Sequence, residues 1–167
     1  FDIEDNQQAL IEAGLRIANQ AIKAEKVKAT IALSIGPLGV LLEPLGSFGR
    51  DEAIIEFGRI AMIAKDYAEK EQIDFCYLLE TFTNLDELRC AIDGISKMDS
   101  KHPIIASVSL KGTQKIVLEK FAEKFGADPK IEALGLNCGE GPSDLLRALE
   151  FLSGKISKPI IVRPNAG

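Results

Sequence analysis

Five short runs that are apolar from end to end alternate with amphipathic stretches, and this alternation limits the fold more than any other feature of the chain. The runs are "ATIALSI" (29–35), "IDFCYLL" (73–79), "PIIASVSL" (103–110), "IEALGLN" (131–137) and "PIIVR" (159–163). Their length and β-branched content suit strands. Strands without a polar alternation are buried on both faces, which is the pattern of a parallel sheet covered by helices. Between them lie helical periods. Leu10, Gly14, Ile17, Ala18, Ala21 and Ile22 mark the first, and Ala53, Ile54, Phe57, Ile60, Ala61, Ala64 and Ala68 the second. Asn84 with Glu87 three residues on resembles a capping box for the third, which carries Leu88, Ala91, Ile92 and Ile95. "QKIVLEKFAEKF" supplies the fourth, and Ser143 can cap the fifth, "DLLRALEFL". The order α-β-α-β-α-β-α-β-α-β fits a doubly wound open sheet or a (β/α)₈ barrel. Five strands in 167 residues match the open sheet, whereas a barrel typically needs about 250 residues.

In both architectures chemistry gathers beyond the carboxyl ends of the strands. The polar and turn-forming residues collect there: Gly36-Pro37, Glu80-Thr81, Ser107, Ser109, Asn137-Cys138 and Pro164-Asn165. The joins at the other ends, such as "KVKA" and "SKMDSKH", are charged turns. Turn formers are needed after strands in any case, so this one-sidedness alone leaves a functional face and a plain loop face equally open. The three cysteines are distinguished by position. Cys76 lies mid-strand and Cys90 mid-helix, where a thiol packs as a small hydrophobe. Cys138 ends its run and is followed by Gly139, Gly141 and Pro142, so it is the one presented to something, as a nucleophile or a metal ligand. The single histidine, His102, precedes Pro103 at the opposite end of a strand, which argues against a Cys–His pair.

Composition excludes several classes. The balance of 20 Lys+Arg against 25 Asp+Glu, with 6% aromatics, leaves no basic surface for nucleic acid. The longest apolar stretch, "ATIALSIGPLGVLLEPLG", is cut by Gly and Pro before it could span a membrane. Three widely spaced cysteines without a CxxC pair point to a reducing, cytoplasmic setting. The chain opens on Phe1 and closes on "IIVRPNAG", which reads as a piece of a longer polypeptide.

"GLNCGEGP", followed twenty-seven positions after its cysteine by the asparagine of "PNAG", resembles the homocysteine S-methyltransferase family, and "IGPLGVLLEPLG" and "LLETFTNLDELRCAI" are similar to two further blocks of that family in the same order. The PNAG ending looks more like the homocysteine-binding module of the cobalamin-dependent branch than like the betaine-dependent relatives. The resemblance implies a (β/α)₈ TIM barrel, here an incomplete homocysteine-binding domain over residues 1–167 that covers about strands three to seven. It implies zinc held by three cysteine thiolates. Cys138 matches one; the other two form an adjacent pair that this chain lacks, so they are expected outside it. Asn165 matches the asparagine that fills the fourth zinc position until homocysteine arrives, and Glu80 the glutamate that holds the substrate amino group. The implied reaction is transfer of a methyl group to the homocysteine thiolate to give methionine, from a corrinoid or a small-molecule donor. These 167 residues alone are expected to be inactive. Two other readings stand beside it: a doubly wound α/β protein with another substrate, and a metal-free, non-catalytic binding module.

Overall fold

The computed structural model describes residues 6–110 and 114–166. Ten elements alternate as the sequence pattern predicts: α1 (Gln7–Glu25), β1 (Ile31–Ile35), α2 (Arg50–Glu71), β2 (Phe75–Phe82), α3 (Leu85–Met98), β3 (Ile104–Leu110), α4 (Lys115–Phe125), β4 (Ala133–Cys138), α5 (Pro142–Leu152) and β5 (Ile160–Pro164). All strand pairs are parallel, and the sheet order is β1-β2-β3-β4-β5. Each new strand is therefore added on the same side of the last. Right-handed crossovers then place every helix on one face. A doubly wound sheet needs its first strand in the interior with helices on both faces, and here β1 is an edge. The five-stranded sheet is consistent with part of a (β/α)₈ barrel.

The two faces of the sheet differ in chemistry. Phe75, Tyr77, Leu79, Ile104, Ala106, Val108, Leu110, Leu134 and Leu136 point to the helices and join one core with Ala53, Phe57 and Ala61 of α2, Leu88, Ile92 and Ile95 of α3, Phe121 of α4 and Leu145 of α5. The pairing register puts the alternate residues, Ser34, Cys76, Leu78, Glu80, Ser107, Gly135, Asn137, Ile161 and Arg163, on the other face. That face is concave. Asn137 of β4 reaches Thr81 of β2 past the intervening strand, and the Glu80 carboxylate of β2 meets the Arg163 guanidinium of β5 at 2.6 Å.

Helix packing explains several sequence choices and corrects others. A Cβ on Gly94 would lie 2.4 Å from the Ile54 carbonyl oxygen, so the bare glycine lets α3 settle directly onto α2. In α1 the packed stripe is Ile11, Leu15, Ala18 and Ile22, and Leu10 and Ile17 are exposed. Of the expected face, Ala18 and Ile22 pack, whereas Leu10 and Ile17 belong to a stripe one residue earlier that faces out; period fixes a helix but not which of two apolar stripes meets a neighbour. Asn84 caps α3 by accepting from the N–H groups of Asp86 and Glu87, but Glu87 does not complete the box. Its carboxylate instead accepts the Leu38 N–H at 2.7 Å and pins the loop after β1. Gly141, not Ser143, occupies the cap of α5, with Pro142 at the first helical position, where its fixed φ suits the turn.

At the amino-terminal end of the sheet, buried Asp99 accepts the N–H groups of Lys101 (2.9 Å) and His102 (3.2 Å), the Tyr77 hydroxyl (2.8 Å), and contacts His102 Nδ1 at 2.7 Å. The His102 ring stacks on Phe75 at 4.1 Å. Burial pushes the Asp99 carboxyl up, but the backbone donors, the tyrosine and the histidine outweigh it and hold it below the usual carboxylate range. A carboxyl lowered in the folded state stabilises above its unfolded pKa, and that contribution fades as pH falls through the folded value. Asp99→Asn should thus cost about 2–4 kcal/mol at neutral pH. The gap from wild type in urea melts should narrow as pH drops from about 5 to about 3. A gap unchanged with pH would show that Asp99 does not fold as an anion.

Candidate functional site

Asn137 is the hub of the carboxyl-end face. It lies on β4 and is 4% exposed. Its Oδ1 accepts the Ser107 hydroxyl from β3 at 2.6 Å and the Thr81 N–H from β2 at 3.2 Å. Its Nδ2 donates to Thr81 Oγ1 at 3.1 Å and lies 3.2 Å from Cys138 Sγ. One amide side chain thus joins three strands and touches the thiol. The contact with Thr81 skips β3 altogether, which a side chain this short can do only because the sheet is curved. Gly135 makes room for it: a Cβ there would come 2.6 Å from Ser107 Cβ and displace the serine whose hydroxyl Asn137 accepts.

Cys138 is the last residue of β4, paired with Leu110 and Pro164. Its φ is +63°, a left-handed conformation that costs a non-glycine residue of order 1–2 kcal/mol. Gly139 follows at φ +73° and Gly141 at +147°, so the chain turns sharply away and leaves the half-buried sulfur at the strand end. Thr81, at φ +68°, is a second non-glycine residue in this conformation at the same end of the sheet, where the β2–β3 register slips between Leu79 and Phe82. This irregularity carries β2 on to Phe82, past the expected end at Leu79. Both strained residues are hydrogen-bonded to Asn137, which helps hold them there.

Asn165 joins the same corner. Its N–H donates to the Cys138 carbonyl at 3.1 Å and its Nδ2 to the Gly139 carbonyl at 3.1 Å. Gly167, the last residue of that motif, lies outside the described residues. Glu80 stands on β2 with both carboxylate oxygens engaged: the Ser34 hydroxyl donates to one at 2.5 Å, and Arg163 pairs with the other. The structure therefore brings Cys138 and Asn165 together at one turn and sets Glu80 on the concave face, linked to β5 through Arg163. Cys90 is fully buried, and Cys76 lies mid-strand on the concave face; burial pushes both thiols up. His102 lies at the far end of β3, away from Cys138.

One soft thiol at a turn, with an amide beside it, has the donor chemistry of one corner of a zinc site. The number falls short: among the described residues no three His, Cys, Asp or Glu side chains are grouped to hold a metal. Sequence reasoning marked Asn137 only as the residue before the cysteine and did not single out Arg163 as a site residue. Asn137 had a signal, a polar residue closing an otherwise apolar run. Among the described residues no helix is long and apolar enough to cross a membrane.

Asn137→Ala would strand the Thr81 N–H and the Ser107 hydroxyl in a buried setting and should cost about 2–3 kcal/mol in chemical denaturation. At position 138 the left-handed backbone makes a sharper test, since Cys138→Gly should be more stable than Cys138→Ala by about 1 kcal/mol. An alanine variant as stable as the glycine one would mean that residue 138 is not left-handed in solution.

The family model described as Homocysteine S-methyltransferase matches residues 1–167. A methionine synthase of Mycobacterium tuberculosis (strain ATCC 25618 / H37Rv) is 27% identical over 181 residues, an alignment that covers all of this chain and 14% of that protein. The chain belongs to the homocysteine S-methyltransferase family.

Proposed function

We propose that this family member binds homocysteine at the carboxyl ends of β2, β4 and β5 and presents its thiol for methylation to methionine. In this reading residues 1–167 are a partial homocysteine-binding barrel domain, strands three to seven of eight. The observation that carries the reading is the corner at the end of β4: a half-buried, strained Cys138, with Asn165 hydrogen-bonded to the same turn.

The residues divide the work between the two ends of the substrate. Glu80 offers a carboxylate to the substrate ammonium, and Ser34 holds that carboxylate in place. Cys138 and Asn165 form the sulfur end. A free thiol has a pKa of about 8.5 and is mostly protonated at neutral pH, yet the thiolate is the nucleophile. Zinc, held by Cys138 and by two cysteines outside residues 1–167 with Asn165 at the exchangeable position, would supply the deprotonation of the substrate thiol. Asn137 fixes the direction of the Cys138 sulfur. In the transfer, a sulfur lone pair forms the new S–CH₃ bond, and the donor departs with the electron pair of the bond that breaks. The donor is a methylated corrinoid or a small molecule, delivered from elsewhere in the protein or from solution. The setting is cytoplasmic.

The full-length protein should retain one zinc per chain by metal analysis, and the 167-residue chain none. In the full-length protein Cys138→Ala should abolish zinc retention and methyl transfer, while Cys76→Ala and Cys90→Ala keep both and lose only stability. If Cys90→Ala loses zinc and Cys138→Ala keeps it, the metal corner is misplaced. A full-length protein that binds homocysteine tightly but never holds zinc would point to the metal-free binding module.

A further inference from the structure

The Glu80–Arg163 pair joins β2 to β5 across the concave face, and its stabilising role does not account for it. Arg163 is 49% exposed and Glu80 16%, and ion pairs open to water contribute little to stability. The guanidinium carries five donors in a rigid fork. Apart from the contact of Nη2 with Glu80, those donors have no hydrogen-bond partner among the described residues. Arg163 also stands in register with Asn137, and its chain neighbours Pro164 and Asn165 flank Cys138. A planar cation with free donors thus sits beside a carboxylate on the concave face, on the strand next to the one that ends in Cys138. An α-amino acid presents the complementary pair, an ammonium and a carboxylate on one carbon.

We infer that Arg163 binds the α-carboxylate of the substrate and sets specificity for amino-acid thiols over simple thiols. The inference rests on the proposed homocysteine site and goes beyond the assignment of Glu80 to the ammonium. Bidentate Arg–carboxylate contacts are among the stronger and more directional hydrogen bonds available to a protein. The geometry also explains why Arg163 is held across the sheet rather than left free: the contact with Glu80 orients the fork before the ligand arrives, which lowers the ordering cost of binding.

The test is calorimetric titration of the full-length protein, without methyl donor, using L-homocysteine and aminopropanethiol, which is homocysteine without its carboxylate. Wild type should bind homocysteine about 30-fold more tightly than the aminothiol. Arg163→Gln should weaken homocysteine by about 30- to 100-fold and change the aminothiol by less than about 3-fold, with Arg163→Lys recovering part of the loss. Equal weakening of both ligands in Arg163→Gln would show that the arginine acts only by holding Glu80, and would overturn the inference while leaving the homocysteine site intact. No change in either would overturn it as well. Failure of wild type to bind homocysteine at all would instead overturn the site on which it rests.

Discussion

The chirality of the crossover connection governs this molecule. Five parallel strands lie side by side in sequence order, and βαβ crossovers, which take one hand, then place the helices on one face. That face buries its side chains against helices and must be apolar. The other face is freed from helix packing and can carry serine, glutamate, asparagine and arginine. The inherited twist of parallel strands curves the sheet toward the uncovered side. Curvature then does what sequence separation cannot: it brings Thr81 to Asn137 and Glu80 to Arg163, pairs whose strands are two and three places apart.

Much of this was legible because burial on both faces leaves a strong mark on sequence. All five strands fall where the apolar runs lie, with ends moved by at most three residues, and Glu80, Asn137, Cys138 and Asn165 lie at or near carboxyl ends of the strands. What period and propensity could not supply were choices between equivalent alternatives. In α1 two stripes of equal period compete, and contact with α2 selects Ile11, Leu15, Ala18 and Ile22. At α3 the sequence spacing of a capping box is present, yet Glu87 has a better partner in the Leu38 N–H of a loop far away in sequence. Length alone favoured the doubly wound sheet, and strand order removed it. The resemblance carried by four short blocks pointed to the family, which composition could not, and the family model matches the whole chain.

The site was only partly legible. Cys138, Asn165 and Glu80 stand out by position or by motif. Asn137 and Arg163 gain their meaning from partners on other strands. Asn137 is a polar group in a dry place, where an unsatisfied amide would be costly, and all of its hydrogen-bonding atoms are engaged. Such a network is rigid because any displacement breaks several bonds at once. Rigidity at this point has a use. Two non-glycine residues, Thr81 and Cys138, are held in left-handed conformations that an unconstrained chain would abandon, and the amide contacts both.

The same contrast separates the two ends of the proposed substrate site. The sulfur end is built from short side chains and backbone, with the thiol fixed by a turn and an amide, so its position is set within narrow limits. The amino-acid end is built from long, charged side chains that orient each other, one of them half exposed to the arriving ligand. For the proposed methyl transfer this division is the useful one. The reacting sulfur must approach the donor along a single line, and small misplacements there are expensive. The zwitterion has no part in the bond change and needs only to be recognised and held. A fold that puts short, packed groups at the end of β4 and long, charged ones on β2 and β5 suits both demands of the proposed reaction from a single curved sheet.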